Sequence, residues 1–206
     1  MFVSLEGIDG SGKSTQAALL VERLAELGLN VVAAREPGST ALGEEVRRLL
    51  LGPAQVDPWA EAALFASARA QLVAEVIGPA LAAGCWVVCD RYIDSSLAYQ
   101  GVARGLSVDK VLALNEPALS DTLPDRTFVL DVLPEAVAAR SPQSSADRIE
   151  GEGRAFQAAV AQGYRELVER FPDRISLVPG DLPQSEVAER IEVELGVASP
   201  GGRSGR

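Results

Sequence analysis

The stretch Gly7-Ile8-Asp9-Gly10-Ser11-Gly12-Lys13-Ser14 decides the fold of this chain. It matches the pattern G-x-x-x-x-G-K-[ST] of a phosphate-binding loop, which a strand precedes and a helix follows. The apolar run Phe2–Leu5 before it is typical of a buried strand, and the apolar spacing over Ser14–Leu27 after it is helical. The sequence therefore predicts a nucleotide-phosphate site where the first strand meets the first helix.

The residue types in the loop suit an anion. Glycine at positions 7, 10 and 12 permits backbone conformations that turn several N–H groups inward, and the helix N-terminus adds positive potential. The Lys13 side chain can reach the β- and γ-phosphates, and the Ser14 hydroxyl can ligate Mg²⁺. The predicted ATP-binding residues of this loop are Gly7, Ile8, Asp9, Gly10, Ser11, Gly12, Lys13, Ser14 and Thr15.

Asp9 is unexpected in a loop that binds anions. Its carboxylate repels phosphate unless a cation, an arginine or a hydroxyl group lies beside it. Two interpretations are open from the residues alone. Asp9 is a solvated turn residue, or it is the partner of a hydroxyl group or cation of a second substrate.

Strand and helix patterns alternate along the rest of the chain. Apolar runs predict five strands, over Phe2–Leu5, Val31–Ala34, Trp86–Cys89, Thr127–Asp131 and Ile175–Val178. Helical spacing occurs over Ser14–Leu27, Ala41–Leu51, Asp57–Ala83, Ser95–Ala103, Val108–Leu119, Gly153–Phe171 and Gln184–Leu195. This order predicts an α/β protein with the three-layer P-loop NTPase fold, in which helices flank a five-stranded parallel sheet.

The length of 206 residues predicts one domain or at most two. We expect a single P-loop domain over residues 1–197. A short lid is expected at about 140–150, where the polar run Ser141–Ala146 interrupts the helical pattern. Residues 198–206 are rich in Gly, Ser and Arg and predict a disordered C-terminal tail.

The composition excludes several classes of function. The chain has no His, which excludes Ser-His-Asp and Cys-His catalysis and imidazole metal ligands. Its net charge of -10 opposes broad binding to nucleic acids or membrane surfaces. Cys85 and Cys89 would lie roughly 13 Å apart along an extended run, too far for a disulfide, so buried reduced thiols are expected. With no signal peptide and no apolar run of roughly 18–20 residues, we expect a cytoplasmic protein without a membrane partner.

An acid and an arginine follow the third predicted strand. Asp90 stands at the carboxyl end of that strand, where ligands bind in open α/β sheets, and it can hold Mg²⁺ through water or orient Arg91. The Arg91 guanidinium can clamp phosphoryl oxygens in a bidentate manner. The alternative is a surface Asp-Arg pair at a helix start.

Five ordered segments resemble the thymidylate kinase family of P-loop nucleoside monophosphate kinases, and the resemblance runs from Phe2 to about Leu195. The segments are the phosphate loop through Thr15-Gln16, Arg35-Glu36-Pro37-Gly38, Leu64-Phe65-Ala66-Ser67-Ala68-Arg69-Ala70-Gln71, Asp90-Arg91-Tyr92-Ile93-Asp94-Ser95-Ser96-Leu97-Ala98-Tyr99-Gln100-Gly101 and Asp147-Arg148-Ile149-Glu150. The resemblance implies Mg²⁺-dependent transfer of the ATP γ-phosphoryl group to dTMP, giving dTDP and ADP for dTTP synthesis. It also implies a homodimer, although the Ala-rich helix over Asp57–Ala83 could equally pack within the core.

The resemblance further implies residue roles. Phe65 would stack on thymine, Arg69 would reach the base edge, and Ser96 and Gln100 would hydrogen-bond the thymine or its sugar. Tyr99 would wall the 2′ side of the sugar, Asp9 would accept the 3′-hydroxyl, and Arg91 would hold the acceptor phosphate. Glu36 and Pro37, with Arg35, would shape the acceptor side, Asp181 and Leu182 would contact adenine, and Ser14 and Asp90 would hold the metal.

Two departures from the family pattern matter. Ser39 stands where the family has a second glycine after Pro37-Gly38. The catalytic arginine that some members carry in the phosphate loop is missing, and the lid segment holds only Arg140 and Arg148. A cation near the transferring phosphoryl group speeds such reactions greatly. Arg148 is therefore the first candidate, with Arg140 and Arg154 in reserve.

Other functions remain open. The nearest alternative is another deoxynucleoside or nucleotide kinase of the P-loop class, which would share the phosphate loop and the Asp90-Arg91 pair. A GTPase switch usually has an Asn-Lys-x-Asp string, and Lys110 does not lie in one. A catalytically inactive ATP-binding module is disfavoured because Lys13, Ser14, Asp90 and Arg91 are all present.

Overall fold

The computed structural model describes residues 1–119, 122–140 and 148–198, without the side chains of residues 138–140 and 150. Its five strands are β1 (Phe2–Glu6), β2 (Val31–Arg35), β3 (Trp86–Asp90), β4 (Arg126–Asp131) and β5 (Ile175–Pro179). They form one parallel sheet in the order β2-β3-β1-β4-β5. The predicted five-stranded parallel sheet is confirmed, and each strand begins and ends within one residue of its predicted bounds.

The register of the sheet brings the two phosphate-site segments together. Leu5 of β1 lies opposite Asp90 of β3, so the loop that follows β1 begins beside the carboxyl end of β3. Every residue of β1 is buried. A parallel strand covered on both faces needs this apolar character, and the polar exceptions in β1, Ser4 and Glu6, hydrogen-bond each other at 2.8 Å.

Helices fill most of the remaining described chain. They are α1 (Lys13–Glu26), α2 (Ala41–Leu51), α3 (Pro58–Leu72), α4 (Gly78–Ala82), α5 (Ile93–Ser96), α6 (Val108–Leu119), α7 (Pro134–Arg140), α8 (Arg154–Arg170) and α9 (Gln184–Leu195). π-Helical turns follow α3 and α5, at Val73–Ile77 and Leu97–Ala103, and a 3₁₀ turn forms at Glu150–Glu152. Helix α7 and the wider π-helical winding were not predicted from the sequence.

Two apolar cores lie on opposite faces of the sheet and confirm the three-layer fold. On one face, Val3 and Leu5 pack with Leu20 and Leu24 of α1 and Ile191 of α9. The other face carries the larger core, which includes Phe2, Val87, Val129, Leu72, Ile77, Val111, Val160 and Leu167. Because both faces of the sheet are covered by these layers, water is excluded from the strands. The carboxyl ends of the strands stay accessible, and ligands bind there in open α/β sheets.

The helix over Pro58–Ala82 corrects one expectation. Its 25 residues are long and apolar enough to cross a membrane by length and composition, whereas the sequence was expected to hold no such run. Core helices also pass that test. Leu72 and Ile77 are fully buried in the core, and the charged side chains of Glu61 and Arg69 are buried on the same helix. Alanine on the exposed face accounts for the rest of its apolar character.

Both cysteines are free thiols, as expected, with Cys89 buried and Cys85 only partly buried. The predicted lid at about 140–150 lies mostly outside the described residues, because residues 141–147 are not described. Residues 199–206 of the expected disordered tail also lie outside them. The proposed domain limits therefore stay predictions.

Candidate active site

The phosphate loop joins β1 to α1 and depends on glycine at two crowded turns. Gly7 has φ +141°, and a Cβ there would lie 2.7 Å from Ser11 Oγ and 2.9 Å from the Leu130 carbonyl oxygen. At Gly10, with φ +75°, a Cβ would lie 2.5 Å from Val137 Cγ1. Any larger residue would therefore be strained or crowded at these two turns, so the observed shape of the loop requires glycine at both.

Lys13 is the first residue of α1 and its side chain is buried at the loop. Its ammonium donates to the Ile8 carbonyl at 3.2 Å and lies 3.5 Å from Asp9 Oδ1. Burial and the nearby Arg91 charge lower the pKa of Lys13 to about 8, although Asp9 counteracts them. The buried position thus makes the Lys13 amine less basic, while its ammonium form can still attract an anion.

Ser14 and Asp90 form a hydrogen-bonded pair whose oxygen atoms could bind a cation. The Ser14 hydroxyl donates to Asp90 Oδ2 at 2.5 Å, and Asp90 Oδ1 is buried without a hydrogen bond in the described chain. Those described residues contain no group of three His, Cys, Asp or Glu side chains that could hold a metal. A divalent cation here would take one or two protein oxygens and fill its shell with water and phosphate oxygens, which suits Mg²⁺ chemistry.

Arg91 adopts a backbone conformation that is rare for a residue with a side chain, with φ +68°. Its guanidinium donates to the Gly7 carbonyl and to Ser95 Oγ, both at 3.0 Å, and forms an ion pair with Asp9. The Tyr99 hydroxyl donates to Asp9 at 3.1 Å. Burial alone would raise the pKa of Asp9, but the charges of Arg91 and Lys13 lower it to about 2.

Glu6 and Tyr164 belong to the hydrogen-bond network around Arg91. Neither residue was predicted from the sequence. Fully buried Glu6 accepts hydrogen bonds from Ser95 Oγ at 2.6 Å and Tyr164 OH at 3.0 Å. Both hydroxyls in turn face the Arg91 guanidinium. Burial, with the charge of Asp94, raises the pKa of Glu6. A signal was present in the sequence, because an acid that ends an otherwise apolar strand needs buried partners.

A cleft of about 380 Å³ opens over these groups and extends away from the phosphate loop. It brings together Gly10 of the predicted ATP-binding residues and most of the predicted catalytic, acceptor and metal residues, namely Asp9, Lys13, Ser14, Glu36, Pro37, Phe65, Arg69, Asp90, Arg91, Ser96, Tyr99 and Gln100. Arg35 also lines it. Arg47, Leu51, Ser95 and Ile149 line it as well and were not predicted.

A second cavity of about 250 Å³ lies on the other side of the loop. The predicted ATP residues Gly10, Ser11, Gly12, Thr15 and Leu182 line it. Gln16 and Gly180, which belong to segments that resemble the family's phosphate loop and adenine-contacting loop, also line it, and so do Leu130, Gln184 and Val187, which the sequence did not indicate. Asp181 is exposed and is not among the lining residues, and Ile8 is buried in the core, so the structure brings only the Ile8 carbonyl to the site, through Lys13.

The far end of the first cleft is built on buried Arg69. Its guanidinium forms an ion pair with Glu36, donates to Asn115, and donates to Ser96 Oγ at 3.1 Å. Asn115 donates its own amide to the Val111 carbonyl at 2.8 Å, so its oxygen is the end that faces Arg69. Burial raises the pKa of Glu36 even beside Arg69. Neither resemblance nor pattern indicated Asn115.

Gln100 lies beside this cluster with one polar atom unused. Its amide nitrogen donates to Glu61 at 2.9 Å, and its carbonyl oxygen is buried without a hydrogen bond in the described residues. Half-buried Phe65 lines the same end of the cleft. This end therefore combines a flat ring with donor groups on Arg69 and an acceptor on Gln100.

The structure does not bring the first candidate for the transition-state cation to the phosphate loop. Arg148 ion-pairs with Glu61 at 2.5 Å and donates to the Leu50 carbonyl at 2.9 Å, because a buried carboxylate attracts the nearest guanidinium. Arg154 is exposed at the start of α8. The side chain of Arg140 lies outside the described residues.

Comparison with known proteins gives consistent results over nearly the whole chain. The family model described as thymidylate kinase matches residues 5–191. The thymidylate kinase of Symbiobacterium thermophilum is 46% identical over 193 residues, which are 93% of this chain and 90% of that protein. The thymidylate kinase of Caldanaerobacter subterraneus subsp. tengcongensis is 48% identical over 180 residues, which are 87% of this chain and 86% of that one.

A solved structure is also similar. The crystal structure of thymidylate kinase from Ehrlichia chaffeensis superposes with a TM-score of 0.78 at 33% sequence identity. The match covers 95% of this chain and 98% of that one. The similarities in sequence and in fold thus each cover nearly the whole chain.

Proposed function

The chain belongs to the thymidylate kinase family, and from that premise we propose that it transfers the γ-phosphoryl group of ATP to dTMP, giving dTDP and ADP for dTTP synthesis. The observation that carries the proposal is a single cleft with two unlike ends. One end presents Lys13, Arg91 and the Ser14–Asp90 pair to phosphates. The other end presents Phe65, Arg69 and Gln100 to a base.

The base end matches the imide edge of thymine. Thymine offers a carbonyl oxygen, which Arg69 can bind as a donor, and an N3–H group, which the free Gln100 oxygen can accept. Phe65 would stack on the ring face. Ser96 already accepts a hydrogen bond from Arg69, so its own hydroxyl hydrogen is available to the base.

Between the two ends, Asp9 and Tyr99 face the space that a sugar would fill. Asp9 stays ionised through neutral pH because its pKa is about 2, so it can accept a hydrogen bond from the 3′-hydroxyl. Arg91 would hold the acceptor phosphate on the same guanidinium that now pairs with Asp9. No strong base is required, because the acceptor phosphate is already anionic at neutral pH.

We propose Mg²⁺ as the divalent cation. The support is the pairing of the Ser14 hydroxyl with Asp90 and the unpartnered second oxygen of that carboxylate. The ion would neutralise charge on the ATP phosphates. Arg148 stays our first candidate for the transition-state cation, with Arg140 and Arg154 in reserve, and it would have to leave Glu61 to act.

We further propose a homodimer that acts in the cytoplasm. The exposed face of the helix from Pro58 to Ala82 carries a row of small residues on which a second copy could pack closely: Ala60, Ala63, Ser67, Ala70 and Ala74. The free thiols of Cys85 and Cys89 suit a reducing compartment. Sedimentation equilibrium of the wild-type chain and of Ala63→Arg would test the interface, with a monomer expected for the variant.

A coupled assay for ADP tests the activity directly. The chain is supplied with ATP, Mg²⁺ and one monophosphate at a time from dTMP, dUMP, dCMP, dGMP and dAMP. We expect ADP release to depend on the monophosphate and to be most efficient with dTMP. Release that is faster with a purine or cytosine nucleotide, or equal without any acceptor, would contradict the proposal.

A further inference from the structure

Glu61 is a buried acid on α3 for which the proposed reaction provides no role. Its side chain is 1% exposed and lies behind the base end of the cleft. Gln100 donates to Oε1 at 2.9 Å, Arg104 donates to Oε1 at 3.2 Å, and Arg148 binds Oε2 at 2.5 Å. Every partner is a donor, as a carboxylate between two guanidinium groups requires.

This arrangement sets the direction of the Gln100 amide. A side-chain amide has a donor end and an acceptor end, and an ionised carboxylate can bind only the donor end. The nitrogen of Gln100 therefore faces Glu61, and its oxygen faces the other way. That oxygen is buried without a hydrogen bond in the described residues, while Gln100 lines the cleft. A buried carbonyl in this state lacks a donor that a ligand can supply.

We propose that Glu61 is a specificity-determining positioning residue, which holds Gln100 with its oxygen toward the base and so makes the site select a base that presents an N–H group there. The inference rests on the proposed function and deepens it. Thymine and uracil present N3–H to such an acceptor, whereas cytosine presents a lone pair at N3. Glu61 thus acts on specificity through Gln100 and touches no substrate itself.

A carboxylate is required at position 61 for this role. A glutamine there could either accept from or donate to Gln100, and the Gln100 amide would then be free to turn over. Arg104 and Arg148 supply the opposite charge that a buried carboxylate needs. The cluster of Glu61, Arg104 and Arg148 therefore fixes the direction of the hydrogen bond between Gln100 and Glu61, with Gln100 as the donor.

The test is Glu61→Gln, a change that nearly preserves volume. We expect the KM for dTMP to rise about tenfold, with the KM for ATP changed less than about twofold, because the base contact is weakened and the ATP contacts are not. The value of kcat is left out of this comparison, because Glu61→Gln also releases Arg148 from its ion pair. The preference for dTMP over dCMP should fall about tenfold. The KM for dUMP should rise in parallel with that for dTMP, because both bases have the same imide edge.

Glu152→Gln is the matched control. Glu152 binds the same two arginines, Arg104 at 2.6 Å and Arg148 at 3.8 Å, but it is not among the residues that line the cleft. The control should leave the KM for dTMP and the preference over dCMP unchanged. Equal effects of the two substitutions would mean that the cluster is only structural and would overturn the proposal.

A double-mutant cycle separates action through Gln100 from any other route. In a Gln100→Leu background, Glu61→Gln should cause no further change in the KM for dTMP. A persisting tenfold effect would overturn the proposal.

If Glu61→Gln does not fold, Glu61→Asp keeps the charge but shortens the reach to Gln100, and the same loss of selectivity is expected. Wild-type protein that fails to use dTMP would overturn the proposed function, whereas normal use with unchanged selectivity in the variants would overturn only the role of Glu61.

Discussion

The two ends of the cleft are built in different ways. The phosphate end comes from two short segments, residues 7–14 and 90–91, at the edges of neighbouring strands. The base end combines side chains from four separate elements, with Arg69 on α3, Glu36 after β2, Ser96 on α5 and Asn115 on α6. The proposed anion binding would therefore depend on local backbone shape, while the proposed base recognition would depend on packing between distant parts of the chain.

The ends also differ in what binding must displace. At the phosphate end, the Asp9 carboxylate already occupies Arg91 and lies 3.5 Å from Lys13, so an arriving phosphate replaces one anionic partner with another. At the base end, Arg69 is paired with Glu36 and Gln100 with Glu61, and a base would add to these partners without replacing them under our proposal. Changes at the phosphate end should therefore reduce turnover, and changes at the base end should act on the KM for dTMP alone.

The largest effect is expected from Lys13→Ala. It removes the ammonium group that we propose binds the β- and γ-phosphates, and we expect kcat to fall about 10³-fold while the fold stays intact. Steady-state kinetics and circular dichroism measure the two quantities. The chain has only one other lysine, the exposed Lys110, and Lys110→Ala is the matched control. Retained activity in folded Lys13→Ala would remove the phosphate loop from the mechanism.

The next largest effect is expected from Arg91→Gln. The variant keeps a side chain at a position with φ +68°, so the backbone cost is the same, but the guanidinium is lost. We expect kcat/KM for dTMP to fall about 100-fold. Arg170→Gln, which changes an exposed arginine paired with Asp109, should have no effect on it. A loss confined to ATP binding would contradict the assignment of Arg91 to the acceptor phosphate.

The same contrast explains what could be predicted from the sequence. The strands and the phosphate loop follow local patterns, apolar runs and glycine spacing, and the parallel sheet and three-layer fold are confirmed. The register of β1 and β3 then brings Ser14 to Asp90, as the strand-end argument implies. The assigned roles of these residues in binding and catalysis stay predictions.

The base end could not be derived in this way. Glu61 contacts Gln100 across 39 positions, and Arg69 contacts Asn115 across 46, so no local spacing marks these pairs. Phe65 and Arg69 were assigned by resemblance, because a phenylalanine and an arginine one turn apart on a helix are common. The ion pair of Arg148 with Glu61 could not be derived either, since the position of Arg148 near the lid does not reveal this partner, and the catalytic role of Arg148 stays a prediction.

Phe65→Ala should have a smaller effect, confined to the base end. Removal of a stacked ring costs about 1–3 kcal/mol per base, which corresponds to a rise of roughly 5- to 160-fold in the KM for dTMP. The KM for ATP should stay within about twofold. Phe171→Ala, at a half-buried ring that packs on Arg170 and Arg174, controls for the loss of an aromatic side chain. Equal rises in both KM values would contradict the stacking assignment.

The smallest expected effect is a difference in the pH dependence of kcat/KM between ATP and dTMP, measured on the wild-type chain. Lys13, whose pKa is lowered to about 8, is charged below that pH and neutral above it, so the free enzyme loses the positive charge that we propose binds phosphate as the pH rises. We expect kcat/KM for ATP to fall above pH 8, approaching about tenfold per pH unit, because this ratio reports the free enzyme.

Burial alone would lower the pKa of Arg91, but Asp9 raises it well above its ordinary value, so kcat/KM for dTMP at saturating ATP should stay level over the same range. Profiles that fall together would show that the two ends titrate as one site, and a level ATP profile would show that Lys13 keeps its proton without a phosphate beside it.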